Sequence, residues 1–431
     1  MGDIKVNENV NLKKLLTEDK IKKGAQVLKV PIKAPNGDKF NGKTYMIPLE
    51  YLYYNNKNGR ISSAISKYES EHGSINHGHN EAYNTAIQNM IKDGDDNMDK
   101  LVEDMKNKGQ EVPGYVLNDG RVVDGNRRFT ATRIMSKDPA VSGTQYFEAV
   151  ILDGLSIQDS RDLALIKQLE LRIQFGLQKR EDYDPIDKAV DAYKTIKIEK
   201  SMSISDYALY SDSKKNDVVK LINEAELIVE FLRFINADET NYFIAKDMKL
   251  DGPIQDMLPQ YRSVIKKSEY KEEILSALFS KIIQLRSSGG EDDFKQDFRS
   301  IIKKVIGKGQ EREFIEKTED DADIIGMALS QDSDGSSRKT ANVDDLYKKI
   351  NNNDDAIKSL SNVADKSTEI LNKMENEKKR SEPKKLVSEA VAKLEAIDVD
   401  TLNYISDEEK KHIRNNLRII QTSINYIEEK M

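Results

Sequence analysis

Gly109-Gln110-Glu111-Val112-Pro113-Gly114-Tyr115-Val116-Leu117-Asn118-Asp119-Gly120-Arg121-Val122-Val123-Asp124-Gly125-Asn126-Arg127-Arg128-Phe129-Thr130-Ala131 is the stretch on which the fold turns. Gly109 closes a helical pattern over Met98–Lys108. Tyr115–Leu117 and Val122-Val123 are short apolar runs around Asn118-Asp119-Gly120, which predicts a strand pair joined by a tight turn. Gly125 breaks the second strand, and Arg127–Met135 restarts as a helix. This arrangement outlines an anion cradle. Gly125 lets backbone approach a ligand closely, and the helix start offers N–H groups and partial positive charge. Arg127 and Arg128 add forked donors that suit phosphate oxygens. The plainer reading is that both arginines pair with acidic neighbours at a solvated helix start. No Walker A pattern (Gly-x-x-x-x-Gly-Lys-Ser/Thr) occurs in the chain.

Upstream of this stretch, residues 1–25 are polar and Lys-rich and read as a loosely ordered arm. Gln26–Lys33 is the first apolar run, Asn36-Gly37 supplies a turn, and Thr44–Pro48 reads as a strand. Ser62–Glu71 and Glu81–Lys92 are helical patterns. Downstream, Phe147–Leu152 is a strand, and Ser156 with Asp159 opens a helix that Gly176 would end. Asp184-Pro185 opens the next helix as N-cap and first residue. Short strands and helices are mixed to about residue 176 and helices alone follow, so the fold class is α+β with a helical remainder.

The 431 residues predict about three domains. Apolar residues make up 38% and charged ones 33%, with a mean hydropathy of -0.67, which predicts elongated, solvent-rich helical parts. No apolar run of about 18 residues predicts a membrane span, and the N-terminus lacks the apolar core of a secretory signal. The absence of Cys excludes disulfides, thiolate nucleophiles and cysteine-based zinc sites. Together these features favour a cytoplasmic protein. A net charge of -7 excludes a globally basic DNA-coating protein and leaves room for a local basic surface.

The boxes Val122-Val123-Asp124-Gly125-Asn126-Arg127-Arg128-Phe129-Thr130-Ala131, Phe147–Ile151, Leu163–Ile166 and Arg180-Glu181-Asp182-Tyr183-Asp184-Pro185-Ile186-Asp187-Lys188-Ala189 appear in an order that resembles the ParB/sulfiredoxin superfamily. The likeness covers roughly residues 40–235. It implies a ParB/sulfiredoxin-like nucleotide domain whose Gly125, Asn126, Arg127, Arg128 and Thr130 hold the phosphates of a nucleoside triphosphate, CTP or ATP. Arg60, in Asn58-Gly59-Arg60, would add a further cation. Where the family carries Glu-Asn for a magnesium ion, Mg2+, this chain has Lys167 and Gln168, with Glu170 the nearest carboxylate. The family also implies a helix-turn-helix after the nucleotide domain. Ser203–Leu209 and Lys214–Glu224 fit it, with Lys214, Lys215, Asn216 and Lys220 placed to meet double-stranded DNA. An ordinary helical packing unit with a solvated lysine face is the alternative.

The expected organisation is an arm at 1–25, a nucleotide domain at 26–180, a helical domain at 181–310, a linker at 311–340 and a helical module at 341–431. The linker rests on acidic Glu319–Asp323 and on Gln331–Lys339, rich in Ser, Asp and Gly. In the last module, Leu346, Ile350, Ile357, Leu360, Leu371 and Met374 share one heptad frame. A cleaner frame follows at Ile413, Leu417, Ile420, Ile424 and Ile427, with a helix Leu386–Ile397 between them. These heptads either close as a hairpin or join two chains into a homodimer. His72, His77 and His79 read as a mobile loop rather than a metal site, and Tyr51, Tyr53 and Tyr54 as a strand or core edge. The functional expectation is a nucleotide-responsive, ParB-like DNA-binding protein of a plasmid, phage or other mobile-element or defence system. The alternative is an enzyme of the same fold: an NTPase, small-molecule kinase or nuclease.

Overall fold

The computed structural model describes residues 10–55, 61–75, 80–173, 184–287, 293–306, 310–331 and 338–431. In chain order the first part is α1 (Leu12–Thr17), β1 (Lys22–Val27), β2 (Lys43–Pro48), β3 (Tyr53–Tyr54), α2 (Ser62–His72), α3 (Glu81–Asp93) and α4 (Met98–Lys108). Then come β4 (Gly114–Leu117), β5 (Arg121–Asp124), α5 (Asn126–Lys137), β6 (Tyr146–Leu152) and α6 (Ser160–Arg172). The strands form one six-stranded sheet in the order β1-β2-β6-β4-β5-β3. The pairs β1–β2, β2–β6 and β4–β5 are antiparallel, while β4–β6 and β3–β5 are parallel. The α+β class is therefore as expected.

Alternation along the strands sorts apolar side chains to the two faces of the sheet. One face gathers Ile47, Tyr54, Val116, Val122, Phe129 and Phe147 with the apolar stripes of α3 and α4. The other gathers Tyr115, Leu117, Val123, Val150 and Leu152 with Ile166, Leu169 and Ile173. The two helices and the strand pair around Gly109–Ala131 form where the sequence places them.

Residues 10–25 of the expected arm are structured instead. Asn11 caps α1 by accepting from the Lys14 N–H, Leu12 is fully buried, and β1 pairs with β2. The many lysines disguised a strand whose partner lies across a 15-residue excursion. The strand ends at Val27, before most of the apolar run. Asp159, not Ser156, is the N-cap of α6, accepting from Arg161 N–H at 2.8 Å. Gly176 lies outside the described residues.

The helical part comprises α7 (Pro185–Tyr193, continued by a π-helical turn Lys194–Ile198), α8 (Ile204–Tyr210), α9 (Lys215–Phe234), α10 (Tyr242–Asp247), α11 (Asp251–Ser263), α12 (Lys271–Ser287) and α13 (Asp293–Ser300). It ends with α14 (Glu311–Ser330), α15 (Val343–Asn351), α16 (Asp354–Glu395) and α17 (Asp407–Glu428). Asp184 caps α7 as expected, accepting from the N–H groups of Ile186 and Asp187. The expected linker is a correction, because Glu311–Ser330 is helical and buries Phe314, Ile315, Ala322, Ile325 and Leu329. Its acidic run misled because Asp321, 4% exposed, sits on the buried side and accepts from Asn362 at 2.9 Å and from Lys366.

Two compact units result, Met1–Ser367 and Thr368–Met431. Leu346, Ile350 and Leu360 of the first heptad frame are buried within the first unit. In the second, α17 begins with a capping box at Ser406 and Glu409 and buries none of its residues. Leu386–Ile397, expected as a separate helix, is instead largely the distal part of α16. No described helix is long and apolar enough to cross a membrane.

Candidate functional site

Gly125 stands between β5 and α5 at φ 95°, a left-handed conformation that glycine adopts without strain. A Cβ there would lie 3.0 Å from Phe147 Cζ and 3.3 Å from Gly114 Cα. Gly114 is itself required, since its Cβ would meet Asp124 O at 2.6 Å. The two glycines thus let β4 and β5 close against each other where α5 begins. No side chain caps α5 and no acid occupies its first turn. Asn126 opens the helix, 7% exposed, with both atoms of its side-chain amide buried and without a hydrogen-bond partner among the described residues. Leaving a buried amide unpaired costs roughly 1–3 kcal/mol, so the position calls for a partner.

Both arginines of the box are held by carboxylates. Arg127 binds Asp95 through two nitrogens, at 2.6 and 3.1 Å. Arg128 donates to Val112 O at 2.8 Å and to Asp124 at 3.2 Å. They remain partly exposed and face acids over short distances, so an incoming phosphate would exchange one anion for another. Thr130 does not belong to the cradle. It is fully buried, with its hydroxyl 2.8 Å from Tyr54 OH, because the fifth residue after Gly125 turns to the core. Arg60 lies outside the described residues.

A second feature, unforeseen as a unit, begins at the other end of β5. Arg121, on β5, stacks over the Tyr53 ring at 4.7 Å and reaches Asn55 Oδ1 at 3.5 Å. Asn55 donates to Glu170 Oε1 at 3.0 Å. Lys167, one turn back on α6, lies 3.5 Å from Glu170 Oε2 and binds Asp191 of α7, which accepts from Tyr207 OH of α8 at 2.9 Å. This buried chain runs from the strand carrying the Gly125 box to the first helix of the expected helix-turn-helix. Burial pushes the Glu170 carboxyl up to about 7, against the pull of Lys167 and with help from Asp191 and Asp124. Burial also opposes the charge of Lys167, but Asp191 and Glu170 outweigh it and raise this lysine above its ordinary value. Gln168 of α6 is half-buried.

The donor set does not fit a divalent cation. Lys167 already places an ammonium between Glu170 and Asp191, and no group of three or more His, Asp or Glu suited to a metal occurs among the described residues. Arg180–Tyr183 of the Arg180 box, His77 and His79 lie outside the described residues. His72, on α2, stacks on Tyr68.

The two helices of the expected helix-turn-helix are α8 and α9, packed on α6 and α7 through Leu171, Ala192, Tyr207, Val218 and Ile222. Asp212 takes φ 49° in the turn, doing the work of the usual glycine. Lys214 is the N-cap position of α9, and Lys215 and Asn216 are exposed in its first turn. Asn216 accepts from Arg262 at 3.0 Å, and Lys220 is paired with Asp217 at 3.0 Å. Of the four predicted contacts, only Lys214 and Lys215 present exposed charge with no described ion pair.

No protein-family model matches the chain, and no curated protein matches it at a significant level.

Proposed function

We propose that this chain is a nucleotide-responsive DNA-binding protein. In this reading Gly125, Asn126, Arg127 and Arg128 hold the phosphates of CTP or ATP, and α8–α9 meets duplex DNA. The observation that carries it is the buried chain Arg121–Asn55–Glu170–Lys167–Asp191–Tyr207. It joins the strand that leads into the cradle to the helix that leads into the turn, so a ligand that repositions Asp124 acts on Glu170 and onward to α8. The unpartnered Asn126 amide, at a helix start with no side-chain cap, favours an anionic ligand there. The test is a binding titration of the four nucleoside triphosphates, followed by duplex binding with and without the one that binds. Failure of all four to bind removes the reading.

An enzyme of the same fold is the second reading, favoured by Glu170, a buried carboxyl poised near neutrality. Release of nucleoside diphosphate or of a phosphorylated small molecule on incubation with the triphosphate would select it.

A further inference from the structure

A strongly positive segment of the described chain lies outside the helix-turn-helix. Residues 20–43 carry Lys20, Lys22, Lys23, Lys29, Lys33, Lys39 and Lys43 against the single acid Asp38, in a chain whose net charge is -7. All seven lysines are exposed. Lys20 pairs with Glu18, and the other six have no ion pair among the described residues. By contrast, Lys214, Lys215 and Lys220 share their module with Asp206, Asp212, Asp217 and Glu224.

The geometry of this segment is a ribbon. β1 is the edge strand of the sheet, paired with β2 from Lys22↔Met46 to Val27↔Lys43. Beyond it the chain continues as a smaller hairpin, held by Leu28 N–H to Gly42 O at 2.8 Å, a bridge Lys33↔Lys39, and a turn in which Ala34 N–H donates to Asp38 O. Leu28, Val30, Ile32 and Phe40 turn inward and pack on the sheet's second core, while Lys29, Lys33 and Lys39 between them stay exposed. Edge protection against strand pairing accounts for Lys22 and Lys23. It has no use for the lysines of the hairpin, which lie past the edge strand.

We propose that this ribbon, rather than α9, supplies the main contacts to the phosphate backbone of duplex DNA; the proposal rests on the DNA-binding reading above. Lys29 to Lys33 spans about 13 Å of extended chain, over which a duplex presents roughly eight charges. A two-stranded β-ribbon also matches the width of the major groove. A bilayer surface is disfavoured because the hairpin's apolar residues are spent on the core and leave no anchor.

The test compares Lys29→Glu/Lys33→Glu/Lys39→Glu with Lys214→Glu/Lys215→Glu in the full chain, titrating a 30-bp duplex from low to moderate salt with and without nucleotide. The ribbon variant should lose affinity at least about thirtyfold and reduce the salt slope by close to three units, one per lost phosphate contact. The α9 variant should lose less on both. A matching triple Gln variant that melts like the parent guards against misfolding, and should show a smaller loss in the same direction. Unchanged affinity and slope in either ribbon variant, or a loss confined to the α9 variant, overturns the ribbon while leaving DNA as the partner. A parent chain that binds no duplex under any of these conditions overturns the DNA-binding reading and the ribbon with it.

Discussion

Replacing Glu170 by Gln tests the buried chain through its pH dependence. Glu170 is 3% exposed, and its carboxyl is pushed from an ordinary 4.5 up to about 7 by burial, partly offset by Lys167 and reinforced by Asp191. Below pH 4.5 the folded and unfolded states are both protonated there. As pH rises from 4.5 to 7, the unfolded chain has lost a proton that the folded chain still holds. Stability therefore falls through that window and levels off above it. A shift of about 2.5 units corresponds to roughly 3 kcal/mol over the whole window, and to about 2–3 kcal/mol between pH 5 and pH 8. Gln keeps the acceptor for Asn55 Nδ2 and carries no charge, and Lys167 retains Asp191. The variant should thus lie close to the parent at pH 5 and gain on it by about that margin at pH 8. Urea unfolding of both proteins at the two pH values measures it. A variant less stable by the same amount at both would mean that Glu170 is ionised throughout and that its pairing with Lys167 dominates, which refutes the argument.

Arg127→Ala should weaken nucleotide binding by about tenfold or more, since charge-assisted hydrogen bonds contribute about 1.5–3 kcal/mol each. Loss of its partly exposed pair with Asp95 should move the melting temperature little; equal nucleotide affinity in parent and variant would remove the cradle. Gly125→Ala should destabilise the chain by at least about 1–3 kcal/mol, from the left-handed backbone and the 3.0 Å approach to Phe147, as read by denaturant midpoint. Ile420→Glu with Ile424→Glu should leave melting unchanged, because neither side chain is buried within the chain, yet halve the mass seen by light scattering. A parent that already runs as a monomer would count against the heptad seam as a dimer contact.

Legibility followed the range of the interactions. Helices α3 and α4, the β4–β5 pair and the Gly125 turn were readable because their signals, caps and periodicity, lie within a dozen residues. β1 was not, because its partner β2 is reached only after the hairpin at residues 28–42, and a lysine-rich edge strand lacks the alternation of a half-buried one. α14 was masked by Asp321, whose burial depends on Asn362 and Lys366 some forty residues away. In the site, the sequence located Gly125–Arg128 and picked out Lys167 and Glu170, but not that Asn55, Asp191 and Tyr207 would join them. Those three come from β3's end, α7 and α8, and only the packing of α6 between sheet and helices brings them together. Thr130 was assigned to the ligand by its place in a motif, whereas helical geometry turns it to Tyr54.

Lys167 carries a last consequence for how a phosphate ligand would be held. Its ammonium binds Asp191 and approaches Glu170, so the two acids near the ends of α7 and α6 already share one positive charge from within. A divalent cation entering there would have to displace a buried lysine whose charge those same carboxylates stabilise. Removing one partner of such a pair costs about 3–5 kcal/mol. The chain without nucleotide should therefore melt at the same temperature in magnesium and in EDTA. Lys167→Ala should melt well below the parent in EDTA and recover part of the loss when magnesium is added, because Asp191 is then left uncompensated and a cation would let Glu170 ionise beside it. A parent that is stabilised by magnesium, with Lys167→Ala indifferent to it, would show that the lysine does not stand in the cation's place.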